Sequence, residues 1–452
     1  MVQCGGLRGA MSSDPATADG PPGSPLKLSL SLSILAGLNL IATFAFQWLP
    51  VHLLGVGPNT DALFFSAIVP TIVLSVAASG LTSVLTPMLA ISDALEFRRR
   101  AWTFAHAVGA AALAVNGLLF LASPVLVHWL APGFDLATRA LAVDLVRIQL
   151  VGGVFTALLT VNWSSYYASH RFIWVEVSAL IASAIGLSVL KLTIASSGVY
   201  GVAWAMTLRA ALQTALLVRG LGRYTLPDWK SGAGGTVLRR LAPIVGGSIY
   251  FKTDPLVERF LASFAPAGQL SLLHLASQLY AAANQIVTKA LINPIMPRLA
   301  RMASAADWPA FWQLTTRRLT LVVSLTIGAS IGLALLRHPI AEALGGGGRL
   351  SASETTLLAT LLVAMAGVWL GGASGQVSTT SFFAYGNTRL PTIVGVVGYT
   401  LGVPLKAFLF WKWGVVGIAI GGSIYTVGNA IAHQLLLRRQ VLGFETTTPE
   451  HP

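Results

Sequence analysis

Charge is what this chain has least of. Only 10% of its 452 residues are Asp, Glu, Lys or Arg, and 54% are hydrophobic, where a soluble protein carries about 25% charged residues. That composition excludes a water-soluble globule. Cysteine is almost missing too, and the single Cys4 excludes an intrachain disulfide framework, a thiolate metal site and a Cys/His cluster. There is no Gly-x-x-x-x-Gly-Lys-[Ser/Thr] stretch to cradle a nucleotide phosphate, so the chain is not read as an ATPase. His-Glu-x-x-His, Gly-x-Ser-x-Gly and Asp-rich metal motifs are lacking, and the eight histidines are scattered. The glycine run Gly345 to Gly348 lacks a following Lys-Ser/Thr and reads as a flexible turn. A transporter without cofactor or metal is expected rather than an enzyme.

What the sequence does have is apolar length. A hydrocarbon core of about 30 Å takes about 20 apolar residues per crossing. Runs punctuated by Gly, Pro and charge predict twelve spans, at residues 28–50, 61–91, 102–123, 141–165, 173–192, 199–218, 242–263, 269–296, 319–336, 355–385, 391–411 and 414–436. The expected fold class is an all-α polytopic membrane protein. Residues 1–27, rich in Gly and Pro, read as a disordered cytoplasmic tail and not as a signal peptide.

The net charge of +13 comes from 29 Lys and Arg against 16 Asp and Glu. With a cytoplasmic N-terminus, 18 of the basic residues fall on the cytoplasmic side, Arg98, Arg99, Arg100, Arg438 and Arg439 among them. The opposite loops hold only Arg139, Lys191, Arg337, Arg349 and Lys412. The positive-inside rule then places both termini in the cytoplasm. Basicity is thus a topology signal, reinforced by attraction to anionic headgroups. Membrane lipids are expected as partners, and nucleic acid is not.

The chain also repeats itself. Pro87-Met88-Leu89-Ala90 returns as Pro297-Arg298-Leu299-Ala300, an offset of 210. Tyr166-Tyr167-Ala168 returns as Phe382-Phe383-Ala384, and Gly198-Val199-Tyr200-Gly201 as Gly414-Val415-Val416-Gly417, both at 216. Landmarks in the same order imply two parallel six-helix lobes, residues 28–218 and 242–437, joined by a basic cytoplasmic linker at 219–241 and followed by a cytoplasmic tail at 438–452. Parallel repeats place substrate and coupling sites between the lobes.

A charge at mid-bilayer costs about 3 kcal/mol or more, so it is directed to a cavity or a partner. Such residues here are Arg147, Arg209, Lys252, Asp254, Glu258, Arg259, Lys289 and Lys406, with Asp61, Asp144 and Glu176 nearer span ends. In the seventh span Ser248, Lys252, Pro255 and Arg259 share one helical stripe, and Asp254 and Glu258 another. One reading has Lys252 and Arg259 facing a central cavity that attracts an anionic headgroup, with Asp254 or Glu258 as a protonatable or sodium-binding coupling group. The other has these residues paired with Arg209, Lys289 or Arg147 to fix helix packing. Arg147 is a further candidate cavity cation that lies close enough to a span end to snorkel instead, and Lys406 is expected at the external interface.

The segment Gly57-Pro58-Asn59-Thr60-Asp61-Ala62-Leu63-Phe64-Phe65, followed by Pro70, Gly80 and Pro87, resembles the first helical hairpin of the MurJ (MviN) lipid II flippases. These belong to the multidrug/oligosaccharidyl-lipid/polysaccharide exporter superfamily. Leu130-Ala131-Pro132-Gly133-Phe134, Leu145-Val146-Arg147-Ile148, Leu261-Ala262-Ser263-Phe264 and Phe383-Ala384-Tyr385-Gly386-Asn387-Thr388-Arg389-Leu390-Pro391 extend the similarity, in order, from about residue 30 to 440. The resemblance implies a flippase of the bacterial cytoplasmic (inner) membrane. Such a protein moves a polyprenyl-diphosphate-linked saccharide to the outer leaflet by alternating access, driven by H⁺, Na⁺ or the membrane potential. A monomer is expected, with glycan-synthesis enzymes as further partners. The family's cavity arginines in the first two helices match Phe46 and Gln47, then Leu74, Ser75 and Ser79, and its Asp-Arg pair in the eighth matches Ser277 and Gln278. Asp61 is the one cavity charge retained. The resemblance therefore implies a divergent member, with Ser277 and Gln278 as polar cavity residues and Arg209, Lys252, Arg259 and Lys289 as replacement cations. The family's two further C-terminal helices have no counterpart among the twelve spans. The alternatives are an ion-coupled antiporter for drugs or small amphiphiles, which needs an acidic cavity, and a non-transporting scaffold for envelope glycan synthesis, which needs none. A major-facilitator transporter is disfavoured, because Asp93 to Arg100 lacks that class's Gly-x-x-x-Asp-Arg pattern.

Overall fold

The computed structural model describes residues 25–228, 250–345 and 349–447. The tail before residue 25, most of the linker, Ser248 and Gly346 to Gly348 lie outside the described residues, as do the side chains of Leu74, Ser75 and Ser79. Among the described residues the chain is helical throughout. Its helices are α1 (Pro25–Leu54), α2 (Pro58–Ser66), α3 (Ile68–Ala90), α4 (Ala94–Leu130), α5 (Leu136–Ala168), α6 (Phe172–Leu217), α7 (Asp254–Ala262), α8 (Gln269–Val287), α9 (Met296–Ser304), α10 (Trp308–Leu335), α11 (Arg337–Leu344), α12 (Ala352–Ala364), α13 (Ala366–Ala384) and α14 (Arg389–Thr447). Among the described residues, seven stretches are long and apolar enough to cross a membrane. The short α11 lies between the expected ninth and tenth spans.

Helix starts follow from side chains that satisfy the free N–H groups of a first turn. Asp93 accepts from Leu95 and Glu96 at 3.0 and 2.7 Å to open α4, and Asp135 accepts from Thr138 at 3.1 Å to open α5. Ser351 and Glu354 form a reciprocal capping box at α12.

Two of the seven stretches, Phe172–Leu221 and Arg389–Phe444, run to 50 and 56 residues. A straight helix of 50 residues is about 75 Å long, far more than a bilayer. Each is bent by one glycine in a left-handed, non-helical conformation, Gly198 (φ 53°, ψ −133°) and Gly414 (φ 57°, ψ −140°). The bends are hairpins. Along a straight helix Thr193 and Gly201 would be separated by about 12 Å, yet a Cβ placed on Gly201 would lie 2.8 Å from the Thr193 hydroxyl. In α14 the equivalent Gly417 abuts the Leu409 carbonyl in the same way.

Helices α1 to α6 pack chiefly on one another, with α5 set against α3, α4 and α6, and α1 against α6. Helices α7 to α14 do likewise around α13 and α14. The two groups meet where α8 packs on α1 and α2, and where α7 packs on α3 and α4.

Candidate functional site

Where the two groups meet, the sequence motifs find each other. Asp61, 4% exposed, reaches from α2 to the start of α8. Its carboxylate accepts from the Gly268 N–H at 2.6 Å, the Ser271 N–H at 2.8 Å and the Ser271 hydroxyl at 2.6 Å. A carboxylate there satisfies first-turn donors and faces the positive end of the helix dipole, each favourable. Gly268 turns the chain into α8 at φ 89°. Beside it the loop Leu130 to Phe134 packs on the end of α7. The Gly133 N–H donates to the Ser263 hydroxyl at 3.3 Å, and any side chain at Gly133 would strike the Ser263 carbonyl. Trp48 of α1 donates to the Leu344 carbonyl at 2.8 Å, and Arg349 to the Leu53 carbonyl at 2.5 Å. This end of the molecule is closed.

Arg259 lies inside that closure, 4% exposed. Its Nη2 donates to Nδ1 of His274. The Nε2 of that ring donates to Gln47 Oε1 at 2.9 Å, and Phe64 stacks on it with centroids 4.3 Å apart. One chain of bonds thus links α7, α8 and α1. Arg259 Nε and Nη1 have no hydrogen-bond partner among the described residues. The expectation that Arg259 faces an open cavity is not met in this conformation, because the seventh and eighth helices close upon it.

Toward the opposite end a cavity of about 810 Å³ opens, its wall on α1 running from about 10 Å to about 22 Å back from Gln47. Leu32, Ser33, Ala36, Gly37 and Leu40 of α1 form one wall, and Tyr167, Phe172 and Glu176 another. Ile286, Lys289 and Ala290, at the end of α8, complete it. Asn39 fixes Glu176 by donating to its carboxylate at 2.6 Å and its carbonyl at 3.0 Å. Lys289 sits in a single π turn, Thr288–Ile292, and makes no ion pair among the described residues. Between cavity and closure stands Arg209 of α6. Its guanidinium donates to Thr43 at 3.0 Å and lies 5.2 Å above the Phe46 ring.

The remaining predicted residues are placed elsewhere. Lys406 is not interfacial: it is wholly buried and donates to both oxygens of Asp254 at 2.7 and 2.8 Å and to Glu258 at 2.8 Å. The acids therefore do pair across helices, but with Lys406 rather than Arg209, Lys289 or Arg147. Arg147 braces α5 to α4, donating to Ser123 at 3.0 Å with Phe120 at 5.2 Å and Asp144 at 4.0 Å. Lys252 is half-buried in the turn Phe251–Thr253, which packs on α3 and α14. Ser277 donates to the His274 carbonyl at 2.7 Å, and Gln278 is half-buried beside it.

His274, Ser271 and Tyr425 were missed by sequence reasoning. A histidine inside an apolar span was the available signal for the first, and the inventory of charged residues passes over it.

The probable lipid II flippase MurJ of Bdellovibrio bacteriovorus is 25% identical over 259 residues, which are 56% of this chain and 49% of that protein, so this alignment spans about half the relative's length. Its namesake in Synechocystis sp. is 23% identical over 452 residues, covering 92% of this chain and 83% of the relative. Among solved structures, the inward closed conformation of lipid II flippase MurJ superposes at a TM-score of 0.80 with 17% identity, covering 92% of this chain and 90% of that one. An inward-facing multidrug resistance MATE family transporter of the MOP superfamily gives 0.68 with 14% identity, covering 93% and 96%. The fold is accordingly the MurJ/MATE one. With the sequence profile of the family Lipid II flippase MurJ matching residues 51–449, from the end of α1 through α14, the chain belongs to that family of membrane transporters.

Proposed function

We propose that this chain flips a polyprenyl-diphosphate-linked saccharide, lipid II or a related envelope glycan precursor, from the cytoplasmic to the outer leaflet of the bacterial cytoplasmic membrane. The carrying observation is the arrangement along α1. Ser33, Ala36, Leu40, Thr43 and Gln47 recur at helical spacing on one face. Lys289 shares the cavity with the first three, Arg209 binds Thr43, and the Arg259–His274 pair ends at Gln47. Cations are thus set out in a row from an open cavity to a closed end. A diphosphate headgroup is drawn along such a row, and a prenyl anchor stays in the hydrocarbon beside the apolar wall.

In this reading twelve spans form two parallel six-helix lobes, residues 28–218 and 242–437, with both termini in the cytoplasm. Support comes from the two glycine hairpins 216 residues apart, from the separate packing of the helix groups and from the basic loops. The cavity then faces the cytoplasm, and the Asp61–Ser271, Gly133–Ser263 and Arg259–His274–Gln47 contacts form the external gate. Alternating access opens this gate as the cavity shuts, driven by an ion gradient or the membrane potential. Lys252, Ser277 and Gln278 are assigned to the polar lining of the route, Arg147 to its flank. The protein acts as a monomer beside glycan-synthesis enzymes.

Proteoliposomes with a fluorescent polyprenyl-diphosphate saccharide test the reading. Lys289→Ala and Arg209→Ala are expected to lower the flipping rate at least tenfold each, and Arg438→Ala to leave it unchanged. Wild-type rates in a folded Lys289→Ala/Arg209→Ala protein would remove the assignment. The drug-antiporter alternative is not favoured: Asp254 and Glu258 are bonded to Lys406, and the carboxylate in the cavity wall, Glu176, is held by Asn39 and shares that cavity with Lys289.

A further inference from the structure

The Asp254–Glu258–Lys406 cluster forms its ion pairs within itself and not with the row of cations along α1, and its chemistry is that of an occupied cation site. Asp254 and Glu258 are one turn apart on α7 and point the same way. Two ionised carboxylates so close repel each other and are strongly disfavoured in low dielectric without a compensating cation. Lys406 supplies it. An ammonium has three N–H donors, and the three carboxylate oxygens at 2.7, 2.8 and 2.8 Å use them all. Tyr425 completes the cage, its hydroxyl donating to Asp254 at 3.2 Å and its ring lying 5.0 Å from Lys406 Nζ.

The surrounding backbone is shaped to admit this side chain. A Cβ on Gly421 would stand 3.0 Å from Lys406 Cα and Cγ, and one on Gly402 would stand 2.9 Å from the Tyr425 ring. The two arms of α14 can therefore close around the lysine with no room left over.

We propose that this cage is a monovalent-cation site which the protein fills with its own tethered ammonium. An ion that is part of the polypeptide cannot exchange between the two sides of a membrane. Asp254 and Glu258 consequently take no part in coupling to a free metal cation; they hold α7 to α14 through the whole cycle. If the ammonium is removed, the same oxygens become available to a free cation.

Cation binding to purified protein tests this without reference to what is carried, so its outcome is separable from that of the flippase reading. Thermal unfolding in detergent is followed in NaCl, in methylammonium chloride and in N-methylglucamine chloride at equal ionic strength. Wild type is expected to unfold at one temperature in all three. Lys406→Ala is expected to unfold earlier in N-methylglucamine and to regain stability with Na⁺ or methylammonium, its midpoint rising with the logarithm of cation concentration. The triple variant Lys406→Met/Asp254→Asn/Glu258→Gln, with neither cage charge nor tether, is expected to fold and to ignore all three cations. A Na⁺ response in wild type that Asp254→Asn abolishes would overturn the proposal, since the site would then be exchanging ions. It is equally overturned if Lys406→Ala folds and ignores both small cations, or fails to fold in every cation while the triple variant folds.

Discussion

His170 is the residue where local strain is most plainly exposed to experiment. It ends α5 in the left-handed region at φ 55°, with the Arg171 N–H returning to the Tyr166 carbonyl at 2.9 Å. At the corresponding place 216 residues on, Gly386 makes the same turn at φ 83°, and the Asn387 N–H returns to Phe382 at 3.0 Å. A side chain in that region costs about 1–2 kcal/mol that glycine avoids, less about 0.5–1 kcal/mol for glycine's freer unfolded chain. His170→Gly is therefore expected to stabilise by up to about 1 kcal/mol and Gly386→Ala to destabilise by a similar amount, read as opposite shifts of the denaturation midpoint. At this scale the sequence was legible in kind but not in pairing. Lone charges in apolar runs mark Asp61 and Arg259 as residues that a cavity or a partner must hold, whereas Lys406 reads from its position as interfacial. Nothing local says that Lys406 meets acids about 150 positions earlier in the chain, because helical period reports a face and not what lies opposite.

The helices themselves were easier to read, since a bilayer demands apolar length and the glycines break it where expected. Gly198 and Gly414 fall at or beside the expected starts of spans six and twelve, and both bend the chain sharply. The start of span seven lies outside the described residues, and the interruptions at Met365 and at Thr288–Ile292 were not anticipated. Close crossing explains several glycines inside the spans. Gly152 abuts Thr207, Gly153 abuts Asn116 and Gly371 abuts the Thr426 backbone, whereas Gly372 meets nothing. Gly417→Val, driven into the Leu409 carbonyl, is expected to cost several kcal/mol and to abolish recovery of folded protein. Gly372→Ala is expected to be recovered normally. Size-exclusion profiles of the two variants, prepared alike, check the contrast.

For the whole molecule, the ordered motifs identified the family but not the mutual contacts of those motifs. The Asp61 segment, the Gly133 loop and the Ser263 turn look separate in the sequence and lie together because two groups of helices close on one end. If that end must open, a bridge across it must stop transport. In a Cys4→Ser background, Asp61→Cys/Ser271→Cys joined by a short bifunctional methanethiosulfonate is expected to lose flipping and to recover it on reduction. Transport that continues with the bridge intact would mean that the gate lies elsewhere. Arg259 bears on the energetics of that opening. It is buried, and two of its nitrogens have no hydrogen-bond partner among the described residues; a donor left without one forfeits about 1–3 kcal/mol. Parting the helices would let solvent reach both, so the shut arrangement is held under tension. A valve that must work in either direction gains from such a flaw: without it, the seal would be too deep a well to leave.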